Sequence, residues 1–178
     1  MKPLLGGIVC GVVAVFYPQT LFTGYTTLDQ VLSGKAAVNN LPMLIQLLFL
    51  KLQLTSFSLS AGLIGGVFAP SLFFGATAGA AYQIVVSLLL NSVYSIVGSI
   101  LEPSSLESLH NFFSLASSPA YATVGAAATL GAIFRAPLTA SMLVFELTQN
   151  HDIVLPVLAA TGVGGLFAEI IRHPRKQW

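Results

Sequence analysis

The run Ser60-Ala61-Gly62-Leu63-Ile64-Gly65-Gly66-Val67-Phe68-Ala69-Pro70-Ser71-Leu72 constrains this chain more than any other stretch. It stops one apolar helix on glycine and opens the next with Pro70 in the first turn, where a missing N–H costs nothing. A helix start leaves four backbone donors without partners and carries about half a positive charge. Hydrocarbon supplies no water to satisfy them, so such a break survives in a membrane only when buried in protein or lining a polar cavity. Two readings stand. The run is a glycine hinge between packed helices, or Gly65 and Gly66 let an anion approach the backbone while the amides of Val67 and Phe68 point at it. One helix end contributes about 0.3 to 2 kcal/mol toward an anion, whereas burying a bare ion costs far more. Further donors must therefore converge from elsewhere, as where broken helices meet near a membrane midplane.

The membrane setting follows from composition. Of 178 residues, 55% are apolar and 7% charged, with mean hydropathy +0.85, against roughly 25% charged in a soluble domain. The expectation is an all-α, multi-pass membrane protein with short, tilted and broken helices. A net charge of +1 and the lack of aromatic residues interleaved with Lys or Arg give no electrostatic footprint for nucleic acid. Cys10 stands alone, which excludes an internal disulfide or a cysteine-built metal cluster and leaves it the role of a small buried apolar filler. The N-terminal run passes from Lys2 through Gly6, Gly7 and Gly11 to Tyr17-Pro18 without a small-residue cleavage site, so it reads as a mature membrane segment.

Apolar periodicity and punctuation divide the chain. Residues 4–16 form a first helix, closed by Pro18 and too short to cross a bilayer alone. Residues 19–40 read as a connector. Residues 41–59 form a second apolar segment, interrupted by Gln46, Lys51 and Gln53, and residues 68–90 a third whose Gly75 and Gly79 make a small-residue face for close helix contact. Residues 91–119, with their serines, Glu102-Pro103, Glu107 and His110, read as an extramembrane or interfacial connector. Residues 120–134 and 138–147 flank Arg135-Ala136-Pro137; at about 1.5 Å per residue neither covers the roughly 30 Å hydrocarbon core, so they read as half-helices meeting at a kink. Residues 153–171 are the last apolar segment. Arg172, His173, Arg175 and Lys176 follow at once, which places that end on the cytoplasmic side by the positive-inside tendency.

The polar residues inside these segments need partners or a route to water. Arg135 is a permeation charge or a residue reaching toward headgroups, and the second role is favoured. Glu146 and Lys51 lie in apolar helices and are expected to face the protein interior, one candidate partner being the other. His110, His151 and His173 lack metal-ligand spacing, and no metal site or cofactor is expected. Ser56, Ser58 and Ser60 have no nucleophile elbow around them, and Gly162-Val163-Gly164-Gly165 lacks the third glycine of a dinucleotide fingerprint and reads as helix packing. No catalytic constellation remains, so no enzyme is expected.

With these residues in place, the chain resembles the C-terminal half of the CLC family of chloride channels and chloride/proton exchangers. Gly65-Gly66-Val67-Phe68-Ala69-Pro70-Ser71-Leu72 is similar to the family's GGxFAPxL motif. Arg135-Ala136-Pro137-Leu138-Thr139, through Val144-Phe145-Glu146-Leu147-Thr148 to Ile153-Val154-Leu155-Pro156, is similar to its RAPLT…E-[LM]-T…LP block, and Tyr17-Pro18 with Gly24-Tyr25 resembles an upstream connector. The resemblance implies one half of an inverted-repeat fold, transport of chloride or a related anion as a channel or anion/proton antiporter, and an anion site at Gly65, Gly66, Val67 and Phe68. It also implies a homodimer in the lipid bilayer through the helices of residues 120–172.

The family's Gly-Ser-Gly-x-Pro loop and Gly-[KR]-Glu-Gly-Pro gate do not occur in this sequence, and Tyr82, Tyr94 and Tyr121 do not occupy the position of its anion-coordinating tyrosine. Residues 1–178 are accordingly expected to be a partial CLC-type transmembrane domain, its first half and final helix absent. The alternative is a non-conducting, truncated membrane subunit that keeps the dimer surface.

Overall fold

A computed structural model describes residues 2–18, 25–34, 40–97 and 116–172, and these are helical with short connections. In chain order the helices are α1 (Lys2–Phe16), α2 (Tyr25–Leu32), α3 (Leu41–Ser60), α4 (Phe68–Val97), α5 (Ser118–Phe134), α6 (Pro137–Thr148) and α7 (Val154–Arg172). A 3₁₀ turn, His151–Ile153, leads into α7, with the Asn150 side chain accepting from the Asp152 amide at 3.0 Å. The all-α expectation holds.

The bundle is built around α5, which touches α2, α4, α6 and α7. Its closest neighbour is α4, and glycine explains why: a Cβ on Gly75 would overlap the Thr129 hydroxyl and the Gly125 carbonyl, and one on Gly79 would overlap the Tyr121 carbonyl. Backbone meets backbone there, as small-residue interfaces in membranes allow. The buried apolar set is correspondingly rich in alanine, with Ala76 and Ala80 of α4 facing Ala122, Ala126 and Ala127 of α5, and Phe73 and Leu130 as the bulky members. At the other side of α5, Gly164 of α7 packs against the Ala128 carbonyl, whereas Gly162 and Gly165 face open space. Helix packing thus accounts for one glycine of that trio.

Among the described residues, three helical stretches are long and apolar enough to cross a membrane: Leu41–Ser60, Phe68–Ser95 and His151–Ile171. The 30 residues of α4 reach about 45 Å, so α4 exceeds the hydrocarbon thickness and must tilt or project. Large apolar side chains cover the outside, among them Leu4, Val15 and Phe16 of α1 and Leu155, Ile170 and Ile171 of α7. In water such a surface would aggregate; against lipid or further protein it is ordinary.

Several expectations are corrected. The stretch 19–40 contains α2, whose Leu28 and Val31 are buried against the bundle, so it is more than a connector. Helix α4 continues past Leu90 to Val97, because Asn91, Ser92 and Ser95 are held in helix, two of them by hydroxyl bonds to Leu88 and Ser92 carbonyls. Cys10 is half-exposed on α1, whose one substantial partner is α3, and is not a buried filler. Lys51 is buried, but Glu146 is exposed on α6, so the two do not share the interior. The half-helices around Arg135 are as expected, α5 and α6 meeting at Arg135-Ala136. His110, Glu102 and Glu107, with Gly24 and His173, lie outside the described residues; His151 is exposed, its ring 5.2 Å from that of Phe145.

Candidate anion site

Helix α3 ends in a Schellman arrangement. Gly62 takes the left-handed conformation at φ 80, the Gly62 amide donates to the Leu59 carbonyl at 3.1 Å, and the Leu63 amide donates to the Ser58 carbonyl at 3.1 Å. The chain then runs without helix through Gly66 and enters α4 at Phe68. Ser71 closes the first turn of α4: its amide donates to the Val67 carbonyl at 3.0 Å and its hydroxyl to the Phe68 carbonyl at 2.6 Å.

Among the described backbone hydrogen bonds, none is donated by Gly65, Gly66, Val67 or Phe68. Phe68, with Ala69, is an orphan donor of the helix start, and Gly65, Gly66 and Val67 lie in the extended run just before it. No carbonyl caps them, and the residues are exposed, Val67 at 39% and Phe68 at 36%. Both glycines are open as well, since a Cβ at either position would meet nothing.

A cleft of about 690 Å³ lies in front of this turn, lined by Gly65, Gly66, Phe68, Ala69 and Pro70 on one side and by Lys51, Thr55 and Ser58 of α3 on another, with Cys10 and Gly11 of α1 at its edge. Val67 opens onto a neighbouring cleft of about 300 Å³ that Lys51 and Thr55 also line. The structure therefore brings Gly65, Gly66 and Phe68 together on one cleft and sets Val67 on the adjoining one. Lys51 joins the two. The Thr55 and Ser58 hydroxyls turn back onto the Lys51 and Thr55 carbonyls at 2.8 and 2.9 Å, so they satisfy α3 internally.

Lys51 lines both clefts, and the sequence placed it in the interior without relating it to the α4 start. The available signal was a lysine in the middle of a 20-residue apolar helix, which in a membrane marks a functional position by default. Its ammonium lies 5.5 Å from the Phe73 ring centroid. Arg135 lies elsewhere. It lines a cleft of about 340 Å³ with Pro137, Gly162, Gly165, Leu166 and Glu169, none of them a residue of the α4 start. Tyr82 and Tyr121 pair with each other at 6.0 Å, and Tyr82 is about 21 Å along α4 from Phe68.

An α-helical bundle of membrane-length apolar helices, with a broken-helix start whose residues line a cleft shared with Lys51, defines a polytopic membrane protein. The family model for voltage gated chloride channels matches residues 1–169, and this chain belongs to that family. It is 40% identical over 163 residues to chloride channel protein CLC-e of Arabidopsis thaliana, covering 90% of this chain and 21% of that relative. It is 34% identical to chloride channel protein CLC-f of the same plant, covering 90% and 19%. With the H(+)/Cl(-) exchange transporter ClcA of Salmonella arizonae the identity is 25% over 171 residues, covering 94% of this chain and 31% of that protein. The chain thus spans about a fifth to a third of the length of these curated relatives.

Proposed function

We propose that this chain supplies part of an anion pathway through a membrane, with chloride or a related inorganic anion held by the backbone amides of Val67 and Phe68, Gly65 and Gly66 giving it room to approach. The observation that carries this reading is the set of amides at and just before the start of α4 that have no backbone acceptor, in residues lining clefts that the buried Lys51 also lines. Backbone donors, a helix N-terminus and a cation then border two adjoining clefts that Lys51 joins, which meets the requirement that no single helix end suffices. The names of the relatives, chloride channel and H(+)/Cl(-) exchange transporter, point the same way and leave both transport modes open.

The remaining surfaces fit this reading. Residues 1–178 act as a partial CLC-type transmembrane domain, and the exposed apolar faces of α6 and α7, with Leu138, Met142, Leu155 and Phe167, supply a homodimer contact within the bilayer. The basic residues after Ile171 set the C-terminus on the cytoplasmic side.

Isotope-labelled chain in lipid nanodiscs tests the proposal. Titrated chloride should shift the Val67 and Phe68 amide resonances saturably, and absence of any saturable shift overturns the anion site. Chloride efflux from liposomes tests transport separately. Saturable binding and dimerisation without efflux would favour the non-conducting subunit.

A further inference from the structure

The turn that presents the α4 amides is held from outside its own helix. Ser71, the residue that closes this turn, is 3% exposed. Its amide and hydroxyl are spent within α4, on the Val67 and Phe68 carbonyls. Its carbonyl is reached from α5, where the Thr129 hydroxyl lies 3.0 Å away. Elsewhere on these two helices, Thr77 and Ser87 of α4 and Thr123 of α5 keep their hydroxyls within their own helix. Thr129 also has the Ala126 carbonyl at 2.9 Å and the Gly125 carbonyl at 3.1 Å within reach, so its proton has two local acceptors and one across the interface.

Gly75 shows that the crossing is built in. A Cβ at that position would overlap the Thr129 hydroxyl, so the missing side chain on α4 is what admits the hydroxyl of α5. A second tie lies five residues along α5, where the Phe134 ring stands 6.1 Å from the Phe68 ring at 54°. The first turn of α4 is therefore pinned to α5 at two points, one through Ser71 and one through Phe68. Those are the two residues whose backbone and side chain fix where the Val67 and Phe68 amides point.

We propose that Thr129 is a positioning residue for the anion-facing turn and helps to set its preference between anions; this rests on the anion reading given above. Anions of equal charge feel the same Coulomb attraction from Lys51 and the helix end. They differ in radius and shape. Hydration cost separates the two by a fixed amount, and the rest of any discrimination between a spherical halide and planar nitrate depends on the spacing and direction of the donors, which the Thr129–Ser71 bond helps to hold. A hydroxyl that merely satisfied itself inside α5 would leave that preference untouched.

Thr129→Val keeps the shape and removes the donor, and Thr129→Ser keeps the donor. In nanodiscs, Thr129→Val should speed amide hydrogen exchange across residues 71–75 by about threefold to tenfold, the range expected of one interhelical side-chain hydrogen bond in a membrane. It should also change the ratio of chloride to nitrate affinity, read by amide titration, by about threefold or more. Thr129→Ser should match the parent in both. Unchanged exchange in Thr129→Val overturns the positioning role, and faster exchange with an unchanged anion ratio overturns the selectivity role. If the parent binds neither anion, the anion reading fails and takes the selectivity role with it, while the exchange data still decide whether Thr129 holds the turn.

Discussion

The Lys51 ammonium stands 5.5 Å from the centroid of the Phe73 ring, and both residues are buried, at 4% and 0% exposure. Phe73 belongs to α4 and Lys51 to α3, so this contact keeps a cation beside the first two turns of the helix whose start carries the open amides. Ring and cation attract by about 0.5 to 2 kcal/mol, which helps to hold a charge that the positive end of α4 repels. An anion at the cleft relieves that repulsion. Lys51→Met should therefore weaken chloride affinity about tenfold, the effect of roughly 1.4 kcal/mol of lost attraction. Lys51→Arg should retain most of it. Amide titration in nanodiscs reads both.

Phe68 is the first residue of α4, a position where proline is tolerated because its N–H has no helical acceptor. Phe68→Pro thus removes one donor from the site without breaking the helix, and chloride affinity should fall about tenfold or more, as for a lost charge-assisted hydrogen bond. Phe68→Ala also removes the ring that faces Phe134 but keeps the N–H, and it should cost several-fold less. Val67→Ala, which keeps its donor, should cost little. Equal losses in all three would mean that side chains, and not peptide hydrogens, hold the ion.

The helix break, the glycine ladder on α4 and the paired half-helices were legible because each is written locally. Gly62 stops α3, Pro70 fits a first turn, and Arg135-Ala136-Pro137 cannot continue a helix. What failed depended on neighbours. Helix α2 sits in a stretch that reads as connector because of its Gly24, Asp29, Gly34, Lys35 and Asn39-Asn40, and its burial against α5 decides its structure more than that composition does. Asn91 and the serines after it look like a loop, yet the Ser92 and Ser95 hydroxyls bond inside the helix, which runs on to Val97. Lys51 and Glu146 looked alike as lone charges in apolar runs. Only the packing of α3 on α4 distinguishes the buried one, and that relation has no local trace.

Backbone contact between α4 and α5 makes a sharp stability forecast. A methyl at Gly75 or Gly125 would overlap a carbonyl oxygen of the facing helix, which cannot move as a side-chain tip can. Gly75→Ala and Gly125→Ala should each destabilise by about 1 to 3 kcal/mol through forced separation of the helices. Gly7→Ala and Gly165→Ala meet open space within helices and should be neutral or stabilising by up to about 1 kcal/mol, the helix preference of alanine over glycine. Chemical unfolding in detergent micelles distinguishes the pairs, and similar effects at all four positions would mean that α4 and α5 are not in backbone contact.

Arg135 occupies the left-handed region at φ 55 and ψ 32, which turns the chain out of α5 before Ala136 extends into Pro137. A non-glycine residue there is held at a cost of about 1 to 2 kcal/mol. Its side chain is exposed and lines a cleft that shares no residue with the α4 start. Arg135→Gly should accordingly raise stability by about 1 kcal/mol in micelle unfolding, while Arg135→Ala, which keeps the Cβ and hence the strain, should not. Both variants should leave chloride affinity within about twofold of the parent, the scale of surface substitutions away from a site. A stability gain from alanine equal to that from glycine would trace the effect to the guanidinium and not to the backbone, and a tenfold loss of affinity in both would make Arg135 a charge on the anion's route after all.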